Sequence, residues 1–196
     1  ATFGKYPPLT DWTQLTESFD FAVLGVPNDM GTQYRSGARM GPRGIREAST
    51  LYQFGHKEVY DSDTGETYSY GSVVDIGDVD IVHTDQLLSL NRTREAVEAI
   101  LRAKVTPMIL GGDHAITAPV CAALAVLQTP VVVVQIDAHL DFVDERHGVR
   151  FGHGNSMRRC LELPHVSSMF QLGIRGVSST AKSGFIDAGK MGSTVL

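Results

Sequence analysis

Two apolar runs, each followed at once by acidic and imidazole side chains, constrain this chain more than any other feature of its sequence. Residues 131–136 are Val-Val-Val-Val-Gln-Ile and lead into Asp137, and residues 105–110 are Val-Thr-Pro-Met-Ile-Leu and lead into Gly111. Short continuous apolar runs are typical of strands buried on both faces of a parallel sheet, with Pro107 the one discordant residue. Because parallel strands end at one edge of their sheet, we expect the two polar clusters to meet there.

The two clusters contain side chains that bind divalent cations. His114 belongs to the first cluster, and Asp137, His139 and Asp141 belong to the second. Alternate residues of an extended segment point to one face, so we expect the last three to project into the same space. Carboxylate and imidazole ligands without thiolate favour harder divalent ions such as manganese and leave zinc, nickel or iron open. The pattern therefore predicts a two-metal hydrolase site.

Strand and helix signals alternate along the chain after a polar arm, residues 1–19, that is expected to be loosely structured. Five strands are predicted, at residues 21–27, 72–76, 105–110, 131–136 and 168–174. Helices are predicted to begin at Pro42, to run from about 84 to 103 with Thr84 as N-cap, to run from about 118 to 127, and to include 157–161. Strands that alternate with helices favour an α/β domain with a parallel sheet and right-handed crossovers.

The composition is that of an ordinary globular domain, with 42% hydrophobic and 20% charged residues. A net charge of −5 without any run of Lys or Arg argues against a nucleic-acid partner. No apolar stretch reaches the ~18 residues of a membrane span, so no membrane partner is expected. Cys121 and Cys160 lie outside any Cys-x-x-Cys motif, so we expect reduced thiols and a cytoplasmic location.

Five short sequence blocks follow one another along the chain, at residues 25–32, 35–46, 111–114, 137–141 and 153–159. Together they resemble the ureohydrolase family, which includes arginases and agmatinases. The block that contains Asp29-Met30-Gly31-Thr32 is most similar to the agmatinase-like branch. The resemblance implies a three-layer arginase-like α/β fold with a mainly parallel central sheet. Residues 20–196 would then be the N-terminal portion of one ureohydrolase domain.

By this resemblance the chain acts on a small guanidino compound such as agmatine. His114, Asp137, His139 and Asp141 would bind two manganese ions, with Asp137 bridging them. A hydroxide held between the ions would attack the guanidinium carbon, and urea and an amine would be released. His153 would protonate the departing amine. The family also implies a homo-oligomer, a trimer or hexamer, for the full-length protein.

Several nearby polar residues receive other interpretations. His147 lies in the same loop as His153 and is the alternative proton shuttle. Asp113 is expected to orient a neighbouring ligand rather than to bind metal. Four arginines of the 35–46 block are expected to form salt bridges that fix a long loop: Arg35, Arg39, Arg43 and Arg46.

The chain departs from the family pattern in two places. The family's second carboxylate motif, of the Ser-Phe-Asp-x-Asp type, is absent, so we expect a fold that is incomplete at its C-terminus. The missing strands would leave a gap between the strands that end at Gly111 and Asp137. In addition, Asn155-Ser156-Met157 stands where agmatinase-like sequences carry a Thr and an aromatic residue. Guanidinobutyrate and guanidine therefore stay open as substrates, and nickel stays open as the metal.

Two other functional classes remain as hypotheses at this point. A truncated, inactive metal-binding remnant or pseudoenzyme would explain the missing carboxylates. A two-metal phosphoesterase would also combine His and Asp ligands, but the five ordered blocks count against it.

Overall fold

The computed structural model describes residues 1–52, 58–69 and 71–196. The strands in these ranges are β1 (Phe21–Val26), β2 (Glu58–Tyr60), β3 (Thr67–Ser69), β4 (Val73–Asp78), β5 (Thr106–Gly111), β6 (Val131–Ile136), β7 (Val166–Leu172) and β8 (Ser193–Val195). The α-helices are α1 (Gly41–Ser49), α2 (Gln86–Arg102), α3 (Thr117–Ala123), α4 (Ser156–Leu161) and α5 (Lys182–Met191). Short 3-10 turns lie between several of them.

The strands form two parallel three-stranded sheets and one small antiparallel hairpin. The first sheet has the order β4-β1-β5, and the second has the order β6-β7-β8. In the first sheet Val26 at the end of β1 lies beside Gly111 at the end of β5. In the second sheet Ile136 at the end of β6 lies beside Leu172 at the end of β7. The prediction of an α/β fold with parallel strands is therefore confirmed.

The two sheets are not joined by backbone pairing within the described ranges. There, β5 pairs with β1 alone and β6 pairs with β7 alone, so each has one open edge. Val132, Val134 and Ile136 of β6 are 54%, 59% and 84% exposed. The prediction that this strand is buried on both faces is thus wrong, because no described segment covers that face. The open edges lie where the sequence predicts a gap in the sheet.

Each sheet packs against its own hydrophobic core. The first core joins β1 to one face of α2, through Leu24, Val26, Val97 and Ile100. The second core joins β7 to α4, α5 and the segment after β6; it contains Leu140, Phe142, Met157, Cys160, Met169 and Ala188. Both cysteines are buried free thiols.

Most predicted elements lie within two residues of their observed bounds. The N-cap of α2 is Asp85 rather than the predicted Thr84, because the Asp85 carboxylate accepts a hydrogen bond from the Leu88 N–H at 2.9 Å. The predicted helix at 118–127 begins at Thr117 and ends as a 3-10 turn, Leu124–Leu127. The sequence reading missed α5, β8 and the β2–β3 hairpin.

Residues 1–19 make specific contacts with the first sheet, so the expectation of a loosely structured arm is wrong. The Leu9 N–H donates to the Asp75 carbonyl at 2.8 Å, and the Trp12 indole donates to the Ile76 carbonyl at 3.2 Å. Leu15 is buried in the first core. Whether the arm and residues 20–196 form separate units stays a prediction. No helix in the described ranges has the length and apolar character needed to cross a bilayer.

A buried ion pair ties α1 to β4. Arg46 donates two hydrogen bonds to the Asp75 carboxylate, at 2.8 and 2.9 Å, and a third to Asp78. Arg39 and Arg43 pair with Asp29 and Glu47, whereas Arg35 lies over the Tyr34 ring. Burial alone would raise the pKa of Asp75, but hydrogen bonds and the Arg46 charge hold it below its ordinary value of 3.8.

We predict that Asp75→Asn lowers the free energy of unfolding by about 3–5 kcal/mol, because it leaves the Arg46 guanidinium buried without its counter-charge. Since the folded pKa of Asp75 is depressed, the pair stabilises the native state above the ordinary carboxyl pKa and loses this effect as the pH falls through the folded value. Urea denaturation at pH 7 and at pH 3 measures both effects.

Asp80→Asn is the matched control. The Asp80 side chain is 88% exposed and pairs with Arg92 at the surface, so its loss should cost less than about 1 kcal/mol. Equal losses for the two variants would contradict the structural role of the Arg46–Asp75 pair.

Candidate metal centre

The ends of β5 and β6 open into one cavity of about 500 Å³. After β5 the chain turns at Asp113 into a short 3-10 helix, His114–Ile116, and after β6 it continues directly into Asp137. The ionisable residues that line the cavity are Asp113, His114, Asp137, His139, Asp141, Arg146 and His153. The structure therefore brings all the sequence-predicted site residues to one space.

Three of these residues form a compact group of metal-binding donors. One ligand atom from each of His114, Asp137 and Asp141 lies within 4.8 Å of the others. The Nδ1 atom of His114 is 2.8 Å from Oδ2 of Asp141 and 3.9 Å from Oδ2 of Asp137. One imidazole and two half-buried carboxylates are a donor set that suits a divalent cation. The residues present thus fit a metal ion.

His139 lies in the same cavity but outside this compact group. Its side chain is 55% exposed, and its Nδ1 atom is 3.8 Å from Oδ1 of Asp137. Gly176 leaves room for this ring, because a Cβ atom at position 176 would lie 2.7 Å from Cδ2 of His139. The sequence reading assigned no role to Gly176, since a single glycine in a loop carries no signal of what it contacts.

The segment from Asp137 to Asp141 is a turn and not the extended strand end that we predicted. The Asp137 carboxylate accepts a hydrogen bond from the His139 N–H at 2.9 Å, and Asp141 has a left-handed φ of 49°. Gln135 fixes the turn by donating to the Asp137 carboxylate at 3.2 Å and to the His139 carbonyl at 3.1 Å. This local bonding replaces the alternation of a strand, so the side chains of Asp137, His139 and Asp141 do not share one face as predicted.

His153 begins the 3-10 turn that precedes α4, and it lines the cavity. His147, the alternative shuttle, lies at an exposed turn with a φ of 54° and does not line the cavity. The Ser156 hydroxyl donates to the His114 carbonyl at 2.8 Å, which links the two turns. The structure therefore places His153, and not His147, beside the carboxylate group.

Asp113 connects the turn that contains His114 to the turn that contains His153. Its carboxylate accepts hydrogen bonds from the N–H groups of Gly31 and Ala115, at 2.7 and 2.8 Å. The Gly31 carbonyl in turn accepts the His153 N–H at 3.1 Å. Burial raises the pKa of Asp113 above its ordinary value, although these hydrogen bonds and His153 favour the ionised form. These contacts fit the interpretation of Asp113 as an orienting residue.

Arg146 is a cavity residue that the sequence reading missed. Its guanidinium donates to Oε1 of Gln33 at 2.9 Å and to the Ser179 carbonyl at 3.4 Å. The neighbouring residues Asp144, Glu145 and His147 are of the same polar kind, so no local pattern distinguishes Arg146 from them.

Comparison with known proteins identifies the family. The sequence model of the Arginase family matches residues 19–196. The chain belongs to the arginase family. It is 40% identical over 166 residues to the mitochondrial guanidino acid hydrolase of Homo sapiens, and 35% identical over 185 residues to the guanidinobutyrase of Pseudomonas aeruginosa.

The fold comparison agrees with this assignment. The structure matches the proclavaminate amidinohydrolase of Streptomyces clavuligerus with a TM-score of 0.82 and 30% identity, over 100% of this chain and 62% of that chain. The predicted arginase-like fold is therefore confirmed. The two sequence relatives align with 84% and 93% of this chain but with only 46% and 56% of their own lengths. The chain thus spans about half the length of these relatives.

We predict that Gly31→Ala displaces the turn that carries His153. A Cβ atom at position 31 would lie 2.7 Å from Cβ of Ala115 and 3.0 Å from the Asp113 carboxylate, so the Gly31 backbone must shift. The bond to the His153 N–H should weaken, and hydrogen exchange of that amide should become about fivefold faster, as expected for a lost hydrogen bond of ~1 kcal/mol.

Gly44→Ala is the control for this exchange measurement, since a Cβ atom there meets nothing within 4 Å. Unchanged exchange at His153 in Gly31→Ala would show that Gly31 does not hold the turn.

We also predict that Asp141→Asn weakens Mn²⁺ binding by more than about tenfold, because even residues that only orient ligands change affinity by roughly 10- to 100-fold. Isothermal titration calorimetry with MnCl₂ measures this affinity. Glu145→Gln removes an exposed carboxylate from the same loop and should leave the affinity unchanged. Equal affinities in the wild type and in Asp141→Asn would exclude Asp141 as a ligand.

Proposed function

We propose that this chain forms part of the active site of a metal-dependent hydrolase that releases urea and an amine from a small guanidino compound. The observation that carries this proposal is the compact group of His114, Asp137 and Asp141 beside His153 in one cavity. Membership of the arginase family supports the same chemistry. It also counts against the two-metal phosphoesterase.

Two divalent ions, manganese in preference to nickel, would be held by His114, Asp137, His139 and Asp141. The donor set of oxygen and nitrogen atoms supports this choice, since both thiols of the chain are buried in the second core or beside it. When bound, such ions lower the pKa of a water molecule towards neutrality and so supply the nucleophile.

The residues of the chain itself would position the substrate and move a proton. The carboxylates that line the cavity would attract the guanidinium group of a substrate, because that group is always positively charged. His153 lines the same cavity and would act as the general acid that protonates the nitrogen leaving with the amine. Asp113 and Gly31 keep the His153 turn at a fixed place relative to His114.

A non-catalytic metal-binding chain is the second candidate. Two observations favour it: the compact group has three donor residues rather than four, and β5 and β6 have open edges next to the cavity. Such a chain would bind Mn²⁺ without turning over a guanidino compound.

Agmatine, guanidinobutyrate and guanidine are the proposed substrate alternatives, and relatives named for a guanidino acid and for guanidinobutyrate support this class. A homo-oligomer, a trimer or hexamer, and a cytoplasmic location are proposals of the same kind. Urea release by the Mn²⁺-loaded chain from these three compounds tests the function. Turnover supports the hydrolase, and Mn²⁺ binding without turnover supports the second candidate.

We predict that His153→Asn lowers the rate of urea release by at least about 100-fold, the usual contribution of a general acid, and leaves Mn²⁺ affinity unchanged. Stopped assays of urea together with calorimetry measure both quantities. His147→Asn is the control and should retain the rate. Loss of Mn²⁺ binding in His153→Asn would contradict the proton-transfer role and make His153 a ligand.

A further inference from the structure

Arg146 has no carboxylate partner in the part of the chain that the structure describes, unlike Arg150 of the same loop and Arg159 of α4. Its two hydrogen-bond acceptors, Gln33 and the Ser179 carbonyl, are uncharged. By contrast, Arg150 and Arg159 both pair with Asp144, at 3.1 and 2.6 Å. A permanent positive charge therefore lines the cavity without an ion pair to any described carboxylate.

The backbone holds Arg146 in a fixed position. The N–H and carbonyl groups of Arg146 and Val149 exchange two hydrogen bonds, both of 2.9 Å. The two residues between them, His147 and Gly148, have φ angles of 54° and 78°, which are typical of a tight type I′ hairpin turn. Two of the five guanidinium N–H groups are used by Gln33 and Ser179, so others remain to bind a ligand. Arg146 is thus preorganised and still has free donors.

The charges of the cavity are divided between two groups of residues. The acidic residues Asp113, Asp137 and Asp141 belong to the two turns that follow β5 and β6, whereas Arg146 belongs to the later hairpin turn. A guanidinium group is attracted to the acidic residues. The other end of the same substrate would face the guanidinium of Arg146. An arginine side chain repels an ammonium group and can bind a carboxylate through two parallel hydrogen bonds.

We propose that Arg146 binds the carboxylate of a guanidino acid and that the site therefore selects guanidino acids over guanidino amines. This inference rests on the proposed function, since it assigns the far end of the substrate of that same site. It makes guanidinobutyrate a better substrate than agmatine. Arg146 acts in this proposal as a specificity-determining residue and takes no part in the proton transfer by His153.

A purely structural role for Arg146 is the alternative, because its hydrogen bonds also join the loop of Gln33 to the loop of Ser179. The two roles give different results. A structural role changes the stability of the fold and lowers the affinity for every ligand alike. A specificity role changes the preference between ligands that differ only in the charge of their tail.

The test uses the full 196-residue chain loaded with Mn²⁺ and three probes: 4-guanidinobutanoate, butylguanidine and agmatine, with negative, neutral and positive tails. Dissociation constants are measured by calorimetry, or by saturation-transfer NMR for weak binding. We expect the wild type to bind 4-guanidinobutanoate at least tenfold more tightly than butylguanidine, and agmatine least tightly. In Arg146→Gln the affinity for 4-guanidinobutanoate should fall to that for butylguanidine.

Arg150→Gln is the matched control, since Arg150 belongs to the same loop, is exposed and does not line the cavity. It should keep the wild-type preference. Arg146→Lys retains the charge without the planar fork and, if Arg146→Gln is unstable, should keep a reduced preference for the acid.

Two results would overturn the inference. Equal affinities of the wild type for 4-guanidinobutanoate and butylguanidine would exclude the carboxylate site and leave the proposed function intact. An acid preference that survives undiminished in both Arg146 variants would exclude Arg146 as the residue that binds the carboxylate, and it would also leave the proposed function intact. If the wild type binds Mn²⁺ but none of the three probes, the proposed function fails, and the role of Arg146 fails with it.

Discussion

The carboxylate of Asp113 is the interaction on which the rest of the site depends. It accepts a hydrogen bond from the N–H of Gly31, which follows β1, and another from the N–H of Ala115, which lies in the turn of His114. The Gly31 carbonyl in turn accepts a hydrogen bond from the His153 N–H. One buried acceptor therefore sets the relative positions of the His114 imidazole and of the His153 imidazole, which lies nearly forty residues later in the sequence. A buried carboxylate keeps this arrangement because leaving its donors unpaired would be costly.

Sequence reasoning located the elements and the ionisable residues but not their local geometry. The four valines of β6 and the strands around it follow from apolar patterning, and His114, Asp137, His139, Asp141 and His153 follow from the motifs. The turn at Asp137 depends on hydrogen bonds from the Gln135 side chain. The strand pattern predicts that Gln135 is buried, but it does not predict which groups that side chain contacts. Arg146 is not predicted for a similar reason, since its position depends on hydrogen-bond acceptors from two loops that are distant in the sequence.

The arginine side chains of this chain have different roles, which depend on the groups that each one contacts. Arg46 and Arg159 are buried and paired with carboxylates, so their charges stabilise the packing of helices. Within the described ranges Arg146 donates to neutral acceptors alone, and it lines the cavity. Net charge and composition cannot distinguish these cases, because the distinction depends on which carboxylates the fold brings near each guanidinium.

The open edge of β6 has a consequence for the metal site. This strand runs directly into Asp137, and its Gln135 holds the turn that positions the Asp137 carboxylate. Any strand that pairs along this edge, from whichever chain, would favour the same backbone conformation that a bound cation favours at its end. If a cation binds at Asp137 as proposed, strand pairing and cation binding that favour one conformation would be thermodynamically linked, and each would strengthen the other. Assembly of the sheet and loading of the proposed metal would then form one coupled equilibrium.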